Sequence, residues 1–152
     1  MEYRERLSAP AWYWLVGVGF GSTSALAMGL WFGPEPAVIG GLAVTAVIGI
    51  AVAWIGRTEI AVDAEGLHVG VNLLEWAWAG ETEVLDADRT RAMLGVEANA
   101  AAFVAQRPWL NEAIVVQVRD AADPHPYWLV SSRRPTRLAA AIERARHQAA
   151  VR

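Results

Sequence analysis

The chain has 152 residues, 55% of them hydrophobic and only 19% charged, with a formal net charge of −3. All 13 basic residues are arginine and cysteine is absent. Schiff-base lysines, the phosphate-gripping lysine of a P-loop, disulfides, thiolate metal sites and thiol catalysis are therefore excluded, and the acidic balance argues against nucleic acid as a partner.

No acidic or basic side chain occurs between Arg6 and Glu35, or between Glu35 and Arg57. As helices, residues 11–32 and 37–55 would rise about 33 Å and about 28 Å, each close to a hydrocarbon core of about 30 Å. Trp12, Tyr13 and Trp14 open the first stretch, Trp31 and Phe32 close it, and Trp54 closes the second, where aromatic rings favour a membrane interface. Gly33-Pro34-Glu35-Pro36 between them predicts a tight connection, so residues 1–56 read as a transmembrane helical hairpin. Arg4, Arg6 and Arg57 flank the spans and the connection has no arginine, which places both termini on the cytoplasmic side of the cell (inner) membrane. A cleaved signal ending at Ala25-Leu26-Ala27 fits less well, because the apolar stretch is too long and its leader is not net positive.

Small residues recur at every fourth position, as Gly17, Gly21, Ala25, Gly29 and Gly33, then as Ala37, Gly41, Thr45, Gly49 and Ala53. Such seams let backbones approach in lipid, and packing of one span on the other uses them without a partner. Docking of another membrane protein is the alternative. The other hydroxyls in the spans, Ser22, Thr23 and Ser24, can bond back to their own helix, as Thr45 can, and no intramembrane charge marks an ion pathway.

From residue 57 to 152 the pattern changes to short alternating segments. Glu59–Val62 and Leu67–Leu73 predict a hairpin about Asp63-Ala64-Glu65-Gly66, with Gly66 as the left-handed residue. Trp76 and Trp78 share a face of a next strand, Thr82–Leu85 predicts another, and Asp88–Leu94 a short helix ended by Gly95. Residues 103–106, 114–118 and 127–131 read as strands, and Pro135 opens a last helix with Leu138, Ala141, Ile142, Ala145 and Ala149 on one stripe. The expected class is α+β: a transmembrane hairpin followed by a small antiparallel β-sandwich or barrel capped by a C-terminal helix.

That arrangement is similar to the pleckstrin-homology-like domains some bacterial membrane proteins carry after a pair of spans. Tyr3-Arg4-Glu5-Arg6-Leu7, Arg107-Pro108-Trp109 and Tyr127 through Pro135 resemble an uncharacterised actinobacterial membrane family, domain of unknown function 3093. The resemblance implies a two-span anchor with a cytoplasmic domain and supplies no activity. Phosphoinositide binding at the first hairpin, as in many pleckstrin-like domains, is opposed here by Asp63 and Glu65.

Residues 59–97 hold nine acids against two arginines, whereas residues 107–152 hold eight arginines against four acids. The densest candidate surface combines Arg107, Trp109, Tyr127, Trp128, Arg133 and Arg134, since rigid aromatics beside arginine forks make binding hot spots and phosphate contacts. The ordinary alternative is that the aromatics fill the core and the arginines pair with Glu112 or Asp123. His68, His125 and His147 lack metal-ligand spacing, and no nucleophile elbow occurs. The expectation is a non-catalytic, membrane-anchored interaction module without cofactor or metal, with the bilayer and a protein as partners. Anionic lipid recognised by the arginine-rich half is the alternative.

Overall fold

The computed structural model describes residues 3–151. It separates into two compact units, one made of residues 8–57 and the other of residues 3–7 with 58–151.

The first unit is two helices, α1 (Trp12–Phe32) and α2 (Pro34–Ile55). Both are long and apolar enough to cross a membrane. The sequence places four residues in their connection; only Gly33 interrupts the helices, at φ 91°. The two prolines fall in the first turn of α2, where no intrahelical N–H donor is needed and the fixed proline φ suits a helix start. Along the interface a Cβ on Gly21 would lie 2.8 Å from Gly41 O, and one on Gly41 would lie 2.7 Å from Ala25 Cβ. Gly29 faces Ala37, Gly17 faces Ile48, and Gly49 lies under the Trp14 ring. The two small seams therefore pack on each other. Thr45 Oγ1 donates to Gly41 O at 2.9 Å, and Ser22 and Thr23 likewise bond to Val18 O and Gly19 O, so these hydroxyls are satisfied within their own helices. The outward faces stay bare, with Leu30 78% and Trp31 85% exposed.

The second unit has two four-stranded sheets. The first orders β1 (Tyr3–Arg6), β2 (Glu59–Val62), β3 (Gly66–Val69) and β4 (Asn72–Glu75), all antiparallel. The second contains β5 (Ala79–Leu85), β6 (Phe103–Ala105), β7 (Ala113–Val118) and β8 (Tyr127–Ser131) in the order β5-β7-β8-β6. Helices α3 (Ala87–Leu94) and α4 (Pro135–Ala150) complete it.

Several expectations are corrected. The sheets do not close into a barrel, and β6 runs parallel to β8, so the second sheet is mixed. Leu67–Leu73 is two strands, broken at Gly70, whose φ of 63° makes it the left-handed residue in place of Gly66. Gly66 is required for another reason: a Cβ there would meet Leu74 O at 2.2 Å. Trp76 and Trp78 lie in the turn before β5, the first buried with its Nε1 donating to Asp63 O and the second half exposed.

The burial explains the sequence pattern. Ile60, Val62, Leu67, Val69 and Leu74 of the first sheet pack with Ile114, Val116, Trp128 and Val130 of the second and with Leu138, Ala141 and Ile142 of α4. On the opposite face of the second sheet, Ala113, Val115 and Leu129 pack with Leu85 and with Met93 and Leu94 of α3. Strands β7 and β8 are covered on both faces and read as continuous apolar runs, whereas β2 alternates because its other face is open. Each fully buried aliphatic side chain contributes about 1.5–3 kcal/mol.

Candidate functional site

Strand β1 positions Glu5, whose carboxylate accepts hydrogen bonds from Ser132 Oγ at 2.6 Å, Arg133 N at 2.7 Å and Tyr3 Oη at 2.8 Å. Ser132 Oγ accepts from Arg134 N at 3.0 Å, so a single carboxylate organises the turn that launches α4. Burial, then the hydrogen bond to Glu5 and its negative charge, push the Tyr3 phenol up to about 12. Nearby, Arg107 N donates to Ser131 Oγ at 3.3 Å, while the Arg107 guanidinium donates to Gln106 O and to Thr58 Oγ1. Burial lowers its pKa from the ordinary arginine value, and its Nε has no hydrogen-bond partner among the described residues.

The six residues grouped from sequence do not form one surface. Trp128 is 5% exposed in the main core, 4.4 Å from the Phe103 ring. Tyr127 is half-buried against the opposite face of the sheet, at the far end of β8 from Ser131. Arg107 turns inward as a brace, and Trp109 is half-buried in the segment between β6 and β7. Arg133 and Arg134 are exposed. Adjacent strand residues point to opposite faces, which separates Tyr127 from Trp128.

The histidines lie in separate places. His68 pairs with Asp63 at 3.2 Å, His125 Nδ1 lies 2.7 Å from Ala101 O, and His147 is exposed on α4. Burial would raise the Asp63 pKa, but hydrogen bonds from the Glu65 and Gly66 N–H groups and the His68 contact outweigh it and hold the carboxyl below its ordinary value. This first hairpin remains acidic, with Glu65 exposed beside it.

From the sequence, the arginines of the last helix, Arg137, Arg144 and Arg146, are too few to suggest nucleic acid, and nothing there separates those on its outer face. Its stripe Leu138, Ala141, Ile142 and Ala145 is buried, which leaves Arg137 and Arg144 on the exposed side, next to Arg134 at the N-cap. Arg137 and Arg144 are seven residues apart, about 10 Å along one helix face. The only acid of α4, Glu143, is held by Arg146 at 2.6 Å. The seven-residue spacing was the available signal.

Two membrane-length helices joined to a two-sheet α+β unit define the class of protein. The chain belongs to the family described as protein of unknown function (DUF3093), whose model matches residues 2–142. Neither a curated protein nor a solved structure matches it.

Proposed function

We propose that the chain is a non-catalytic, membrane-anchored interaction module, an accessory subunit of a larger membrane assembly. In this reading α1 and α2 cross the cell membrane and both termini are cytoplasmic. The observation that carries the same-side placement of the two ends of the hairpin is the pairing of β1 with β2, in which Tyr3↔Val62 and Arg6↔Glu59 are register partners while the whole apolar hairpin lies between them in sequence. Strands in one ladder occupy one side of a bilayer, so an even number of crossings must separate them. The arginines flanking the spans favour the cytoplasmic side. Two sheets followed by a C-terminal helix support a pleckstrin-homology-like reading of the second unit. The bare apolar faces of α1 and α2 suit contact with lipid or with the helices of another membrane protein.

A reporter active only in the cytoplasm, fused after Arg152, is expected to work, and one fused at Glu35 is not. Extraction of the intact chain by alkaline carbonate, or activity of the Glu35 fusion, would refute the anchor. Crosslinking in native membranes, followed by purification in mild detergent, is expected to recover a stoichiometric membrane partner. Recovery of the chain alone at every crosslinker concentration would refute the accessory-subunit reading.

A further inference from the structure

We propose that the exposed arginines at the start and along the outer face of α4, Arg134, Arg137 and Arg144, bind the phosphate groups of anionic phospholipid. The inference rests on the reading of α1 and α2 as a membrane anchor.

Pairing alone does not single these three out, since Arg6 and Arg119 are also exposed without a carboxylate partner among the described residues; their place together on one helix does. Arg4 pairs with Glu59, Arg89 with Glu97 at 2.7 Å, Arg91 with Asp88 at 2.8 Å, and Arg146 with Glu143 at 2.6 Å. Arg134, Arg137 and Arg144 are exposed, and none has a carboxylate partner among the described residues. Each therefore keeps a whole guanidinium fork for an external anion, and that fork matches phosphate oxygens in pairs. The helix cannot insert into lipid, because its apolar stripe is committed to the core under both sheets. It presents a fixed cationic face instead, with His147 continuing the row beyond Arg144.

Phospholipid is the occupant that fits best because of the tether. Only Gly56, Arg57 and Thr58 separate the end of α2 from β2, a reach of about 14 Å even when fully extended. A contact with anionic lipid that is weak per arginine gains from this short connection, since the lipid surface is supplied at high local concentration.

The test is native mass spectrometry of the full chain in mild detergent, titrated separately with phosphatidylglycerol and phosphatidylcholine of matched acyl length. Phosphatidylglycerol is expected to bind at least about tenfold more tightly, with the preference shrinking as salt rises from about 0.05 to 0.5 M. The triple variant Arg134→Gln/Arg137→Gln/Arg144→Gln is expected to lose that preference by about tenfold or more. Arg91→Gln, on α3 across the second sheet from α4, is expected to keep it. Near-UV circular dichroism checks folding of the triple variant, and single Arg137→Gln and Arg144→Gln variants, each expected to lose about threefold or more, replace it if it does not fold.

Equal binding of the two lipids, full retention in the variants, or equal loss in Arg91→Gln would overturn the proposal. Displacement of the lipid by inorganic phosphate at about 10 mM would overturn it in favour of a soluble anion. An acidic protein that binds wild type but not the triple variant, while lipid binding is unchanged, would overturn it in favour of a protein partner. Failure of the reporter test removes the anchor; a correct topology without lipid preference removes only this proposal.

Discussion

Replacing Glu5 with alanine is expected to destabilise the two-sheet unit strongly, although Glu5 lies on a four-residue edge strand. Its carboxylate receives Ser132 Oγ, Arg133 N and Tyr3 Oη within 2.8 Å. The three donors respond differently to its loss. Tyr3 is half-buried and Arg133 exposed, so water can partly replace the carboxylate at both. Ser132 is 1% exposed, so its hydroxyl is left without an acceptor, at a penalty of about 1–3 kcal/mol. With about 1 kcal/mol for the other two bonds, the loss is about 2–4 kcal/mol, or roughly 10–25 °C in the Tm of a unit this size. Glu5→Gln keeps one acceptor oxygen and is expected to lose about half as much. The assay is thermal melting of the full chain in detergent, followed by near-UV circular dichroism, in a double-mutant cycle with Ser132→Ala. A fall in Tm under about 2 °C for Glu5→Ala, or a coupling energy near zero with Ser132, would refute the reasoning.

The Tyr3 phenol, raised to about 12 from an ordinary 10, favours the folded state when protonated. The stability it contributes is complete below about pH 10 and is lost as pH rises through about 12; in an ultraviolet titration Tyr3→Phe is expected to remove a phenol step near pH 12. Gly41→Leu is expected to separate the helices, because even its Cβ would lie 2.7 Å from Ala25 Cβ and 2.9 Å from Gly21 O. Cysteines at positions 17 and 48, whose Cβ atoms would lie 3.6 Å apart, are expected to crosslink readily in the native chain and slowly beside Gly41→Leu; equal rates would refute the packing. Gly66→Ala drives a methyl into Leu74 O at 2.2 Å and is expected to lower the Tm of the two-sheet unit by roughly 5 °C or more, whereas Gly70→Asn, at an open left-handed position, is expected to change it little.

What the sequence made legible was what local patterning encodes. The helical stretches, the acidic hairpin turn and the stripe of α4 follow from periodicity and composition, which depend on neighbours a few residues apart. Strand β1 was not legible because Tyr-Arg-Glu-Arg carries little apolar signal, and its partner β2 lies beyond the whole helical hairpin. The parallel β6–β8 pairing is likewise a tertiary fact, and so is the open sheet edge that replaces a closed barrel. The candidate surface failed to assemble for the same reason: a one-residue step along β8 sends Tyr127 and Trp128 to opposite faces. Glu5 meets Ser132 across 127 residues, a contact no spacing rule anticipates. The outer arginines of α4 were readable, but a count of basic residues gave no reason to separate paired from unpaired ones.

Because β1 pairs with β2, the helical hairpin is in effect an insertion between two strands of one sheet, and this decides how the second unit can be isolated. Cutting the chain at Thr58 removes Leu7, which is fully buried, removes Glu5 from Ser132, and exposes the edge of β2. Loss of the Leu7 side chain costs about 2 kcal/mol and loss of the Glu5 bonds about 2–4 kcal/mol. Together they consume much of the roughly 5–15 kcal/mol available to a domain of this size. Replacing residues 8–57 with a short glycine-rich turn keeps all of these contacts, since Leu7 N already donates to Thr58 O at 3.0 Å. The bridged chain is expected to melt cooperatively in the absence of detergent, and residues 58–152 alone to aggregate or melt at least about 15 °C lower, the low end of the drop that a combined loss of about 4–6 kcal/mol produces at this size. Equal melting of the two would show that β1 contributes nothing to the unit, and would also remove the ladder argument for an even number of membrane crossings.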